Sequence, residues 1–214
     1  MNTPAYIWDL DGTLLDSYEA IVESVYKTYQ EFHIETNKEE ILQEAITTSV
    51  GDYILKTEAR TGIPFEKLKT RYSEIGEEEK DKIKLIPHAQ EILACLKAKG
   101  ARHFVFTHRG LTTRDILTRL GIYDYFDEIV TGKDGFARKP DPSAIRYLVE
   151  KHGLDRENTY YVGDRTIDID CACNAGIRSI MFLPEGSRAR ANGKETFIVK
   201  DLMEIAERSV SKRF

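Results

Sequence analysis

The chain predicts an α/β fold: a doubly wound, largely parallel sheet interrupted after its first strand by an all-helical cap domain. Three observations carry this. From residue 87 onward, helical stripes alternate with short apolar strands, the texture of βαβ units. The helical stripes in that stretch run up to glycines at Gly100, Gly121, Gly153 and Gly176. Between the first strand and residue 86, the periodic segments have helical spacing instead.

The first strand is the β-forming run Ala5-Tyr6-Ile7-Trp8. A helical stripe follows, with Ile21, Val22, Val25, Tyr26 and Tyr29 on one face and Asp16 or Ser17 as candidate caps. A second helix is expected over residues 38–48, with others after Gly51 and Pro64; the run from Gly76 through three glutamates to Lys82 reads as a solvated helix end or linker. Beyond Pro87 the expected order is helix 88–99, strand 102–107, helix 111–120, strand 126–131, helix 142–152, strand 159–162, helix 167–175 and strand 178–183. An edge strand at 196–199 and a helix at 202–208 complete the series. Residues 1–15 and 87–214 are therefore assigned to the α/β core and 16–86 to the cap.

Composition narrows the function classes. The chain has 214 residues, 31% of them charged, and a formal net charge of −5. That balance argues against nonspecific nucleic-acid binding, which rests on basic surface. No apolar run approaches the ~20 residues that cross a bilayer. The N-terminus enters its first strand without a basic region or cleavage site, so no signal peptide is expected. Three sparse cysteines, Cys95, Cys171 and Cys173, point to a reducing cytoplasm. Cys171 and Cys173 have no partners at zinc spacing and are expected as buried small hydrophobes.

The chemistry is concentrated at strand ends, where open parallel sheets bind their ligands. The first strand runs into Asp9-Leu10-Asp11-Gly12-Thr13. Alternation starts Asp9 and Asp11 on one side, and Gly12 turns the chain just beyond, so neither carboxylate need be buried. Two adjacent carboxylates repel unless a cation or shared proton relieves them, although an ordinary Asx turn would also leave this pattern. The later strands lead to Thr107-His108-Arg109, to Lys139-Pro140-Asp141-Pro142, and to Gly163-Asp164 with Asp168 just beyond. Acidic oxygen ligands suit Mg²⁺, and a lysine with a threonine hydroxyl suits phosphate oxygens. The set reads as a phosphoryl-transfer site.

These motifs resemble those of the haloacid dehalogenase-like hydrolase superfamily, in its helical-cap branch of phosphoglycolate phosphatase-like and β-phosphoglucomutase-like members. Asp9-Leu10-Asp11-Gly12-Thr13 matches the first motif, Thr107 the second, Lys139 the third, and Gly163-Asp164 through Asp168 the fourth. The resemblance implies a Rossmann-like core and a Mg²⁺-dependent phosphatase acting on a small phosphomonoester. It implies Asp9 as the nucleophile carrying an aspartyl-phosphate and Asp11 as the general acid and base. The metal would be held by Asp9, the Asp11 backbone carbonyl and Asp164, with Asp168 as a ligand or an anchor behind it. Thr107 and Lys139 would hold the transferring group. After Thr107 the second motif more often has Asn, and here His108 stands there, followed by Arg109; a substrate-facing role and a plain surface role stay open for both, and His108 is counted with the phosphate-binding candidates. A sugar phosphomutase on the same fold is the alternative, with Lys56, Arg60, Lys67, Lys69 and Arg71 as candidate clamps for a second phosphate. A phospho-acceptor signalling domain is disfavoured by the cap, expected to exclude bulk water and select substrate.

Overall fold

The computed structural model describes residues 3–208. In chain order the elements are β1 (Ala5–Trp8), β2 (Leu15–Asp16), α1 (Tyr18–Glu31), α2 (Lys38–Thr47), α3 (Val50–Thr61), α4 (Phe65–Glu79) and β3 (Lys84–Leu85). Then come α5 (Ala89–Ala98), β4 (Arg102–Phe106), α6 (Thr113–Arg119), β5 (Glu128–Val130), α7 (Ser143–His152) and β6 (Thr159–Gly163). The last are α8 (Thr166–Ala175), β7 (Arg178–Phe182), β8 (Phe197–Val199) and α9 (Glu204–Arg208). The chain divides into a unit of residues 1–16 and 85–214 and a helical unit, Ser17–Lys84.

The first unit is built on a parallel six-stranded sheet in the order β5-β4-β1-β6-β7-β8. β1 lies between β4 and β6, which pair both its edges, and helices cover the sheet, so Ala5 to Trp8 form a continuous buried run. On one face Ile7, Phe104, Phe106 and Tyr161 pack with Ile145 and Leu148 of α7 and Cys171 and Ala172 of α8. On the other, Tyr6 stacks on Tyr160 and on His103, and Trp8 Nε1 donates to His103 Nδ1 at 3.0 Å.

The helical unit has its own core of Val25, Tyr29, Ile41, Tyr53, Ile54 and Leu68. The starts of α2 and α3 are capped locally: Asn37 accepts from the Glu40 N–H at 2.9 Å and Ser49 from the Asp52 N–H at 3.1 Å. Ser17 is the residue ahead of α1, but its side chain makes no capping bond.

Several expectations are corrected. The run after Gly76 is the end of α4, the helix-end reading rather than the linker, with Glu77 and Glu78 exposed but Glu79 buried between Lys27 at 2.7 Å and Lys82 at 2.6 Å. Strand β5 is three residues long, and α6 begins at Thr113, leaving Leu111 82% exposed. Cys171 is buried but Cys173 is exposed. Residues two apart on a helix point away from each other, so one face cannot bury both.

Candidate active site

Asp9 follows the last residue of β1, and its N–H donates to the Val162 carbonyl of β6 at 2.8 Å. Thr107 and Asp164 follow the neighbouring strands β4 and β6 directly. Three candidate site residues thus leave the sheet side by side because their strands are adjacent. Gly12, at φ 81°, then turns the chain, and three successive N–H groups from Thr13 to Leu15 fold back onto the Leu10 carbonyl. Thr13 Oγ1 donates to Asp164 Oδ1 at 3.2 Å, tying the first loop to the loop after β6.

Asp9 is not the exposed carboxylate expected from the turn: it is 1% exposed. Lys139 Nζ lies 2.9 Å from Asp9 Oδ1 and 2.9 Å from Asp168 Oδ1. The ammonium also faces the rings of Tyr161 and Phe106, at 5.1 and 5.3 Å from their centroids. Burial pushes the Lys139 pKa down, but Asp168 and Asp9 push it up more strongly, so the amine stays protonated. Burial drives the Asp9 carboxyl upward, opposed by Lys139 and Arg165. Asp168 adds to the rise, and the two cations offset it only in part, so the carboxyl sits above the usual carboxylate range.

Asp168 is fully buried and has both oxygens engaged, Oδ1 by Lys139 and Oδ2 by the Arg165 N–H at 3.1 Å. The second contact also caps α8. Gly163 makes room for it: a Cβ there would lie 2.4 Å from the Asp168 Cβ.

Asp11 sits apart from this cluster. Arg109 Nε donates to its Oδ1 at 3.1 Å, and the Arg109 terminal nitrogen bonds the same oxygen. Thr107 Oγ1 accepts from the Arg109 N–H at 3.1 Å. His108 Nε2 accepts from the Lys139 N–H at 2.9 Å, which places the ring proton on Nδ1. That contact assigns His108 a hold on the lysine loop. Arg109, open between substrate and surface in the sequence, is thus held on Asp11, and Arg165, which no motif singles out, reaches Asp9 Oδ2 with its guanidinium at 3.4 Å. The signal for Arg165 was its place between two motif acids.

Asp9, Asp164 and Asp168 each offer a carboxylate oxygen, all within 4.8 Å of one another. An all-oxygen, buried donor set of this size fits a hard divalent cation. The Asp11 carboxylate is outside it.

A parallel sheet delivering acids and a buried lysine to one end is an arrangement for phosphoryl chemistry. The family model for haloacid dehalogenase-like hydrolases matches residues 6–182, and the chain belongs to that family. Within it, the relatives mark the chain as a phosphatase. It is 30% identical over 196 residues to a phosphoglycolate phosphatase of Cereibacter sphaeroides, covering 86% of this chain and 87% of the relative. It is 28% identical over 182 residues to the pyrophosphatase PpaX of Bacillus mycoides, covering 84% and 83%. The fold is shared with CbbY of Rhodobacter sphaeroides, solved with xylulose-(1,5)bisphosphate, at a TM-score of 0.81 and 21% identity, over 94% and 96% of the two chains. Among the described residues, no helix is long and apolar enough to cross a membrane.

Proposed function

We propose that this protein is a Mg²⁺-dependent cytoplasmic phosphatase that hydrolyses a small phosphomonoester through an aspartyl-phosphate on Asp9. The observation that carries the reading is the Lys139 ammonium, 2.9 Å from both Asp9 and Asp168, beside the three-carboxylate cluster. In the first step an Asp9 oxygen bonds to phosphorus as the bond to the leaving oxygen breaks, and Asp11 gives that oxygen a proton. In the second, Asp11 takes a proton from water as the water oxygen attacks phosphorus and the bond to Asp9 breaks. Lys139 and the Thr107 hydroxyl hold the phosphoryl oxygens. Arg109 aims the Asp11 carboxylate, and His108 holds the Lys139 backbone. Asp9, the Asp11 backbone carbonyl and Asp164 would hold Mg²⁺, which would supply the positive charge that lets a carboxylate meet a phosphate dianion. Asp168, committed to Lys139 and the α8 cap, anchors the site.

Hydrolysis is favoured over isomerisation by the cations of the helical unit. Lys56 pairs with Glu44, Arg71 with Glu31 and Glu74, and Lys67 and Lys69 lie over Phe32 and Tyr72. These contacts support a role in the helical surface, and substrate selection is assigned to that unit as a whole.

The test is a panel of phosphate esters with Mg²⁺, headed by 2-phosphoglycolate, with pyrophosphate included because relatives carry those names. Free inorganic phosphate bearing oxygen from isotopically labelled water is the expected product, and Asp9→Asn should abolish its release. Near-wild-type turnover by folded Asp9→Asn would refute the mechanism. Many isomerisations of a sugar monophosphate per phosphate released would make the enzyme a mutase.

A further inference from the structure

We infer that Tyr161 is a positioning residue for the phosphate-binding pair: its ring seats the Lys139 head beside Asp9, and its hydroxyl fixes the peptide from which Thr107 emerges. The inference rests on the phosphatase reading above.

Tyr161 stands on β6 in register with Ile7 of β1, which is itself in register with Phe104 of β4. Its side chain is fully buried on the face of the sheet that carries Ile7, Phe104 and Phe106. The hydroxyl donates to the Phe106 carbonyl at 2.9 Å, on a strand that is not its neighbour. The side chain therefore straddles β1, on the face where Lys139 meets Asp9.

The hydroxyl bond falls at a sensitive point. A trans peptide sends its N–H and C=O in opposite directions. In the peptide between Phe106 and Thr107, the N–H donates to the Val130 carbonyl at 3.0 Å and the C=O accepts from Tyr161. Both sides of that peptide are held, which fixes the direction in which the Thr107 side chain leaves the sheet. Burial first, and then Asp168 and Asp9, raise the pKa of the hydroxyl, so it stays a donor. A core position that needed only volume would be served by phenylalanine, because a buried hydroxyl costs stability unless it is bonded.

The ring acts on the other member of the pair. Lys139 Nζ stands 5.1 Å from the Tyr161 centroid and 5.3 Å from that of Phe106, and the two rings lie 6.2 Å apart at 28°. Asp9 and Asp168 each meet the ammonium at 2.9 Å. Two carboxylates and two aromatic faces thus bound the head of a long, flexible side chain, which keeps its place only where neighbours surround it. Aromatic faces attract the cation without adding a further negative charge to a site that must admit phosphate.

Kinetics on the best ester of the panel above, in saturating Mg²⁺, test this with Tyr161→Phe, Tyr161→Leu and the control Phe104→Leu. Phe104 is buried on the same face but faces Arg102 and His152. Tyr161→Phe keeps the ring and should lower kcat/KM about threefold to tenfold, the worth of one hydroxyl bond. Tyr161→Leu should lose about tenfold more, mainly in kcat, because the ammonium matters most as charge moves in the transition state. Phe104→Leu should lower the melting temperature and leave kcat within about twofold, and the Mg²⁺ requirement should be the same in all four proteins. Wild-type kcat/KM in Tyr161→Phe would overturn the inference. So would equal activity of Tyr161→Phe and Tyr161→Leu, or a loss of kcat in Phe104→Leu as large as in Tyr161→Leu, the mark of a general core effect. If Tyr161→Leu fails to fold, Tyr161→Phe against Phe104→Leu decides: a loss in the first alone supports the role, and no loss in the first, or a matching loss in both, refutes it. A wild type that turns over no ester of the panel would instead strike the phosphatase reading itself.

Discussion

Acidification is expected to destabilise the α/β unit through His103, a buried imidazole on β4. Burial is the main reason its pKa falls from 6.5 to about 4, with Lys97 adding to the effect and Asp127 opposing it. The Trp8 Nε1–H donates to Nδ1 at 3.0 Å, so the ring must keep a lone pair there, and protonation would set two donors against each other. Above pH 6.5 both the folded and unfolded rings are neutral and the group contributes no pH dependence. Below it the unfolded chain takes up a proton that the folded protein refuses, so stability falls until the pH reaches about 4. The gap between the two values corresponds to about 3 kcal/mol, or roughly 6–12 °C in melting temperature for a chain of this size. His103→Gln keeps an acceptor for Trp8 without the titration. Melting temperatures of both proteins, followed from neutral pH to about pH 4, should diverge by that amount, wild type falling further. Curves running parallel to within about 1 °C would refute the assignment, because the carboxylates common to both proteins would then account for all the acid sensitivity.

Gly163→Ala should drive the Asp168 side chain off its seat, since a Cβ would lie 2.4–2.5 Å from its atoms. Overpacking and the lost α8 cap together cost about 2–4 kcal/mol, and turnover should fall with the release of Lys139; scanning fluorimetry and a phosphate-release assay check both. Removing divalent cations with EDTA should abolish turnover and Mg²⁺ restore it, with Ca²⁺ a poor substitute because of its looser coordination. Asp164→Ala should raise the Mg²⁺ concentration needed or eliminate activity, and full turnover in excess chelator would remove the metal from the mechanism.

The sheet was legible because its signals are local. Apolar runs such as Phe104-Val105-Phe106 and glycines such as Gly153 and Gly176, both left-handed beyond their helices, announce strands and stops within a few residues. The acids at the strand ends were legible for the same reason. What escaped depends on partners far along the chain. Glu79 is buried because Lys27, on α1, reaches it, and nothing near Gly76 announces that. Asp9 looked like a turn carboxylate because the residues that enclose it, Lys139 and Arg165, lie more than a hundred positions away. Arg165 carries no local sign of its burial, because arginine in a polar loop is ordinarily exposed. Helix geometry alone turns Cys171 and Cys173 to different sides of α8, so only one of them faces the core.

The position of β1 between β4 and β6 has a consequence for how much change the enzyme tolerates. Asp9, Thr107 and Asp164 each follow a strand of one hydrogen-bonded sheet, and neighbouring strands keep a repeat of about 4.8 Å whatever side chains they carry. The spacing of the three residues is therefore measured by peptide groups, a ruler that drift in sequence cannot stretch. Length changes in the surface connections leave that ruler untouched. A single register slip of β1 against either neighbour would exchange its inward and outward faces and take Asp9 out of line with both. The mutations this enzyme can least absorb are thus those that misalign strands, including ones at Ala5 or Tyr6 that touch no functional group.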